Sequence, residues 1–271
     1  MTREPGWRGA RIGAALLTTS LTFGLFSAPS VAAPSGPAPS TTSQVASTPA
    51  ENFVDWVYES LLFREPDPGG RAYWAAMVDA GRKGDFVHFV SASDEWQDVW
   101  IDVAYHRWLG RPADEGGLDF WNHLMDAGWS YADVEAYLGG SQEAFWIGVN
   151  HPGPGPTFNY VLYVFDVGIE YALPEDEVPE WAMLLGSSPE LDLLYAVLFS
   201  DPGIESRVNL AFARTLDRAP DPGGLQFWGQ LYADTGSMSL IMAHPLLSDE
   251  AWAIAQRPDD PLADRRSTAN P

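Results

Sequence analysis

The sequence predicts an all-α fold: four tandem helical units of about 47 residues laid end to end, the third degenerate, with helices shared between neighbouring units and the units paired into two halves. Two observations carry this reading. The first is a recurring loop. Arg64-Glu-Pro-Asp67-Pro-Gly69-Gly70 precedes Tyr73-Trp74, Arg111-Pro-Ala-Asp114-Glu-Gly116-Gly117 precedes Phe120-Trp121, and Arg218-Ala-Pro-Asp221-Pro-Gly223-Gly224 precedes Phe227-Trp228. Trp74 and Trp121 stand 47 residues apart, and the same step back from Trp228 lands on Trp181, an eroded fourth copy. A period in this range marks stacked supersecondary units. The second is a set of apolar columns upstream of the four tryptophans: Val54, Ile101, Val161 and Val208; Tyr58, Tyr105, Phe165 and Phe212; Leu62, Leu109, Ile169 and Leu216. The columns are four residues apart, the spacing of one helix face and not of a strand.

Residues 1–32 read as a secretory signal. Arg3, Arg8 and Arg11 are followed by the uncharged apolar run 12–26 and by Ser30-Val31-Ala32 with a cut after Ala32. The alternative, an uncleaved anchor, needs about 20 apolar residues and finds fewer. Residues 33–50 are a linker rich in Pro, Ser and Thr, too poor in apolar surface to offset the entropy of ordering. The repeat units then occupy 51–150 and 157–257, separated by the helix-breaking His151-Pro-Gly-Pro-Gly-Pro156, and a Pro- and Asp-rich tail covers 258–271.

Within a unit, helix one carries the apolar columns and ends at the loop, because Pro and Gly-Gly interrupt a helix. Asp67, Asp114 and Asp221 are N-caps of helix two, followed by Pro or an acidic first turn. Helix two presents Trp74, Met77 and Val78, or Trp121, Leu124 and Met125, or Trp228, Leu231 and Tyr232. Helix three ends just before Ser93, Ser141, Ser200 or Ser248, and the acidic residues after Ser93, Ser141 and Ser248 mark these serines as caps of a new helix. That helix is helix one of the next unit. From Asp94 to Leu109 it is apolar on more than one face, as a helix shared by neighbouring units must be.

The chain holds 15 basic and 37 acidic residues, a net charge of −22, and removal of the signal leaves −24. Such a field repels phosphate backbones, so nucleic acid is not a partner. Without cysteine the fold has neither disulfide nor lipoprotein anchor and depends on its core, for which twelve tryptophans, eleven of them after the signal, supply material.

The pattern resembles the bacterial repeat family catalogued as domain of unknown function 4214. Arg64, Pro66, Asp67, Gly70, Trp74, Ser93 and Glu95 carry it in the first copy. Leu109, Gly110, Arg111, Asp114, Gly117, Trp121, Ser141 and Glu143 carry it in the second, and Arg218, Pro220, Asp221, Gly224, Trp228, Ser248 and Glu250 in the fourth. The loop is also similar to that of phycobilisome linker repeats. The resemblance implies helical, secreted or surface-associated repeats and transfers no catalytic residue. The third copy departs from it, with Tyr171 for the Arg, Pro174 for the Asp and Asp176-Glu177 for the Gly pair.

Three copies of the Arg–Asp–Gly-Gly loop either present a repeated ligand or cation site or do local work, with Asp capping helix two and Arg bonding that Asp or the last carbonyls of helix one. The glycine pair, costly inside a helix, admits close packing, for which the repeat Trp is a candidate. Glu175, Asp176, Glu177 and Glu180 are the densest acidic group and the weak candidates for calcium, although they lack the alternating oxygens and turn Gly of an EF-hand. Five dispersed histidines and no cysteine give no zinc motif. Gly139-Gly140-Ser141-Gln-Glu143 lacks the closing glycine of a nucleophile elbow. No catalytic motif and no cofactor motif is found. Trp129 and Trp146 stand outside the aligned columns and are the aromatics whose exposure matters.

The expectation is an exported, non-catalytic helical-repeat protein, secreted or at the cell surface, acting as a scaffold, adhesion or binding module for a protein or glycan partner, with no stable membrane span once the signal is cleaved. The alternatives are an extracellular polysaccharide hydrolase using a carboxylate pair and a calcium-dependent surface-layer component. A binding module should show exposed aromatic surface, and an enzyme a pocket where two carboxylates converge.

Overall fold

The computed structural model describes residues 47–187 and 190–257, which belong to the compact unit Ala46–Pro271. The signal 1–32, most of the linker and the tail 258–271 lie outside the described residues. Among the described residues there are fourteen α-helices and no strand. None of these helices is long and apolar enough to cross a membrane.

The first segment holds α1 (Pro49–Leu62), α2 (Pro68–Asp79) and α3 (Lys83–Ser91). The second holds α4 (Asp94–Leu109), α5 (Glu115–Asp126) and α6 (Tyr131–Gly139). In the third, α7 (Gln142–Gly148) is followed by α8 (Pro156–Tyr163), which runs into a π turn (Val164–Gly168), then α9 (Val178–Ser187) and α10 (Glu190–Leu198). The last has α11 (Asp201–Leu216), α12 (Pro222–Thr235), α13 (Met238–Leu246) and α14 (Asp249–Ala255). All twelve residues of the apolar columns are buried. α1 starts at Pro49, two residues inside the expected linker. The Thr48 hydroxyl accepts from Glu51 N and Glu51 returns a bond to Thr48 N, a capping box that brings Pro49 and Ala50 into the first turn.

Helix α4 packs on α5 and α6 along one side and on α1 and α3 along another, burying Trp96, Trp100 and Trp108. The corresponding helix after Ser141 is broken in two. The Pro-Gly run 151–156 stops α7, and the chain must restart at Pro156 as α8, which carries the columns Val161, Phe165 and Ile169.

The end-to-end arrangement is corrected by the structure: the array closes on itself. α1 packs against α14 and α11, and α3 against α13. Fully buried Phe53 lies 5.3 Å from the Trp252 ring, Gln256 Nε2 donates to Pro49 O at 2.9 Å, and Lys83 Nζ donates to Leu247 O at 2.8 Å. The reason is the same amphipathicity that shares α4 between two neighbours. α1 is buried over most of its circumference, and α11 and α14 add cover to that given by α2, α3 and α4.

Helix ends account for four of the buried rings. The last carbonyls of a helix have no partner within it. Here Trp and Tyr from neighbouring helices supply one. Trp100 Nε1 donates to Leu61 O of α1 at 3.0 Å, Trp56 Nε1 to Thr215 O of α11 at 3.1 Å, Tyr160 Oη to Gly139 O of α6 at 2.8 Å, and Tyr163 Oη to Trp108 O of α4. Each ring thus buries apolar area and caps a neighbour.

At the centre lies a buried ionic group that the sequence does not advertise. Glu135 of α6 accepts from Arg207 of α11 through Nε at 2.9 Å and Nη2 at 2.7 Å, with both side chains 1% exposed. Arg207 Nη2 and Arg107 Nη1 of α4 both donate to Gly168 O at the end of the π turn, at 2.9 and 3.1 Å. Removing Arg207 leaves buried Glu135 with only Arg107 Nε, 3.8 Å away, and removing Glu135 leaves the buried Arg207 charge without its carboxylate. Arg207→Met is therefore expected to lower unfolding free energy by about 3–5 kcal/mol, and Glu135→Leu with Arg207→Met by clearly less than the two single changes added. Urea unfolding of the four proteins of this cycle measures both, and additive losses would refute the coupling.

Candidate functional site

The recurring loop is the strongest candidate, and its geometry is local. Each loop opens with a left-handed residue eleven positions before its tryptophan: Phe63 (φ 56°), Gly110 (63°), Glu170 (54°) and Asp217 (53°). Asp67 then caps α2, accepting from Gly69 N at 3.0 Å and Gly70 N at 2.9 Å. Asp114 caps α5 through Gly117 N at 2.8 Å, and Asp221 caps α12 through Gly224 N at 2.8 Å. The amides of Gly70 and Gly224 hold the carboxyls of Asp67 and Asp221 below the usual carboxylate range.

The arginines reach further than the sequence indicates. Their carboxylate partner is neither the capping Asp nor a residue of the same loop. It is a glutamate 31 or 32 residues on, in the first turn of the following helix. Arg64 Nε donates to Glu95 at 2.5 Å. Arg111 binds Glu143 through two nitrogens at 2.7 and 2.8 Å, and Arg218 binds Glu250 through two at 2.6 and 2.9 Å. Each guanidinium also lies over the ring of helix one: Arg64 5.0 Å from Tyr58, Arg111 5.2 Å from Tyr105, and Arg218 5.4 Å from Phe212. Ser93, Ser141 and Ser248 cap those following helices through Trp96 N, Ala144 N and Ala251 N. The pairs are half-exposed, so each contributes about 0.2–1 kcal/mol. With Arg, Asp and Ser each bonded in this way, the loop ties three helices together.

The close approach at the glycine pair involves tyrosine and the capping Asp rather than Trp. A Cβ on Gly117 would lie 2.5 Å from Tyr105 Oη. That hydroxyl accepts from Trp121 Nε1 at 3.3 Å, as Tyr58 Oη does from Trp74 Nε1 at 3.0 Å. Trp74 and Trp121 are buried, while Trp228 and Trp181 are partly buried against the core.

What the loop leaves outside is the ring just before each tryptophan. Tyr73 is 61% exposed, Phe120 56% and Phe227 62%. Each stands edge-on to its Trp, at 4.9, 5.0 and 4.8 Å between centroids. Phe89 and Tyr137 add exposed rings beside Trp74 and Trp121. These residues belong to the motif as read in sequence, but their solvent exposure was not foreseen. In the third segment the equivalent position is Glu180. Trp146 is exposed, whereas Trp129 is half-buried against Tyr137, 4.9 Å away.

Glu175, Asp176, Glu177 and Glu180 are all exposed, and among the described residues no group of three or more His, Cys, Asp or Glu is placed to hold a metal. A cleft of about 220 Å³ opens between the α3–α4 junction, the α5–α6 loop and the start of α13, and no carboxylate, histidine or basic group lines it.

The model of the family described as Domain of unknown function (DUF4214) matches residues 39–99, which contain the first loop together with Ser93 and Glu95. The likeness read in the sequence is thus shown for that segment. Neither the curated proteins nor the solved structures provide a match to the chain.

Two outcomes follow from this geometry. Gly117→Ala is expected to lower stability by about 1–3 kcal/mol through overpacking, and Tyr105→Phe should recover part of the loss by removing the obstructing oxygen. Thermal melts that place Gly117→Ala at the level of the parent would refute the contact. Glu143 and Glu250 are, like Asp67 and Asp221, held below the usual carboxylate range, here by Arg111 and Arg218. Groups lowered in the folded state stabilise it fully above their ordinary pKa, and that contribution disappears as pH falls through the lowered value. Melting temperature should accordingly drop below about pH 4, less steeply in Arg111→Met with Arg218→Met. A melting temperature flat down to pH 2, or an undiminished slope in the variant, would contradict this.

Proposed function

We propose that the chain is an exported, non-catalytic helical module that attaches to an extracellular or cell-surface partner through exposed aromatic rings. The observation that carries the reading is the triple exposure of Tyr73, Phe120 and Phe227. A scattered exposed apolar side chain needs no explanation, but rings presented at one loop offset three times are a repeated surface feature. They do not serve the core, since their outer faces contact solvent. Each is held edge-on by a Trp that is itself hydrogen-bonded or packed, so little freedom is lost when a partner covers it. Aromatic rings of this kind suit protein surfaces and the apolar faces of glycans. The net charge of −22 disfavours nucleic acid and anionic lipid, and the cleft described above contains no carboxylate pair. The basic start, apolar run and small-residue site of residues 1–32 support export.

The test is co-sedimentation of the processed chain with the insoluble envelope of the producing cell and with insoluble polysaccharides. Retention should fall about tenfold or more in Tyr73→Ala/Phe120→Ala/Phe227→Ala, with the melting temperature unchanged. Equal retention of this variant and the parent would remove the proposal.

A further inference from the structure

The three exposed rings sit on unlike surfaces, and the second copy stands apart. Building on the proposal that these rings meet a partner, we infer that the outer face of α5 docks an extended, arginine-bearing segment of a basic protein.

Charge sets the class of partner. Between Arg111 and Arg207 the sequence has seventeen acidic residues and neither Lys nor Arg. All of α5 lies in this stretch. Glu115, Asp119, His123 and Asp126, spaced by four, four and three, form one exposed stripe of that helix, with exposed Phe120 beside it. Among the described residues no cation is paired with Glu115, Asp119 or Asp126. The other copies keep the ring without the charges. Where α5 has Glu115 and Asp119, α2 has Pro68 and Ala72, and α12 has Pro222 and Gln226. Where Trp129 follows α5, the first copy has Arg82. Attraction for a basic partner is therefore concentrated on α5, and the field of the whole acidic stretch steers such a partner toward it. A neutral glycan gains nothing from these carboxylates.

The rings set which cation. Phe120 and Tyr137, both exposed, lie 5.0 and 6.4 Å from Trp121, and Trp129 lies 4.9 Å from Tyr137. A guanidinium stacks flat on a ring while its N–H fork meets a carboxylate, which an ammonium cannot do. The protein already satisfies its own arginines in this way. Arg111 lies over Tyr105 and binds Glu143, and Arg218 lies over Phe212 and binds Glu250. The outer face of α5 presents the same two halves, ring and carboxylate, and among the described residues no arginine of the chain fills them. The spacing suits an extended segment. Glu115 and Asp119 are one turn apart, about 6 Å along the axis, and alternate side chains of an extended chain are roughly 6.6 Å apart. Arginine at every second position therefore reaches both.

The experiment follows, by fluorescence anisotropy, the processed chain binding a labelled peptide in which Arg and Ser alternate. Versions with Lys or Glu in place of Arg, and chitosan oligomers, are compared. The Arg peptide should bind, more weakly as salt rises, and the Lys version about threefold more weakly or worse. Glu115→Gln/Asp119→Asn/Asp126→Asn should weaken binding about tenfold, with the melting temperature no lower, and Phe120→Ala about threefold or more. Glu175→Gln/Asp176→Asn/Glu177→Gln makes the same change of charge elsewhere in the acidic stretch and should bind nearly as the parent does, as should Tyr73→Ala/Phe227→Ala. No binding of the Arg peptide, equal affinity for the Lys or Glu version, preference for chitosan, or equal losses in the two carboxylate variants would overturn the inference. Co-sedimentation with the envelope separates it from the proposal on which it builds. Retention that falls in the triple ring variant but not in the α5 carboxylate variant overturns this inference alone, whereas retention indifferent to the rings removes both.

Discussion

The contact on which the rest of the structure depends is the one between Glu135 and Arg207. Burial works against the Arg207 charge, yet Glu135 beside it prevails and holds the guanidinium more firmly protonated than usual. A pair of this kind is a poor source of net stability, because desolvation consumes most of the attraction. Its effect is positional. A bidentate Arg–carboxylate contact tolerates little displacement, and here it joins α6 to α11. Through the Gly168 carbonyl it also reaches the π turn and α4. Gly168 stands where a helix ends and its carbonyl lacks an axial donor, so the two guanidiniums complete a group that the backbone leaves open. Four elements from three segments of the chain are thereby held in one register.

Around this centre the chain uses aromatic side chains where other folds use disulfides. With no cysteine, a cross-link between helices has to come from packing and hydrogen bonds. Trp56, Trp100, Tyr160 and Tyr163 each place a large ring in the core and its N–H or O–H on the final turn of another helix. A Leu at such a position would fill space but leave the carbonyl buried and unpaired, at a cost of about 1–3 kcal/mol. At these four positions packing and capping therefore have one cause.

Local features were legible in the sequence, and distant ones were not. Asp67, Asp114 and Asp221 announce helix starts because an N-cap acts within three residues, and the apolar columns announce helix one because burial follows a period of 3.6. The left-handed turn was readable only at Gly110. At Phe63 and Asp217 a side chain occupies a conformation that disfavours it by roughly 1–2 kcal/mol, and nothing local signals that the loop imposes it. The Arg–Glu pairs span 31 or 32 residues, a distance fixed by how α2 and α3 fold back, so the arginines looked free to bond their own loop. Glu135 and Arg207 resemble solvated charges on helices. The one hint was a carboxylate between Val134 and Ala136, at the centre of an apolar run. Closure of α1 onto α14 is a tertiary event with no local signature beyond an α1 that is apolar on too many sides.

The third segment shows which parts of the loop are coupled. Tyr171 stands where the other copies have Arg, and its ring lies 6.2 Å from Phe165, the position over which the guanidinium sits elsewhere. A ring–ring contact thus replaces the cation–ring contact. The glutamate partner is gone too, since Pro202 follows Ser200 at the place taken by Glu95, Glu143 and Glu250. Had only the Arg been replaced, a glutamate at the start of α11 would face an aromatic ring, and had only the Glu been lost, the Arg would have no anion. The two changes occur together because the pair acts as one object. What survives is the left-handed turn at Glu170, Trp181 packed 4.9 Å from Phe165, the Ser200 cap on Gly203 N and the buried columns. The exposed ring does not survive, and Glu180 takes its place. The parts common to all four segments are therefore the turn, the tryptophan, the cap and the helix-one face. Arg, Glu and the outer ring are additions, and of these only the outer ring leaves most of its surface to solvent.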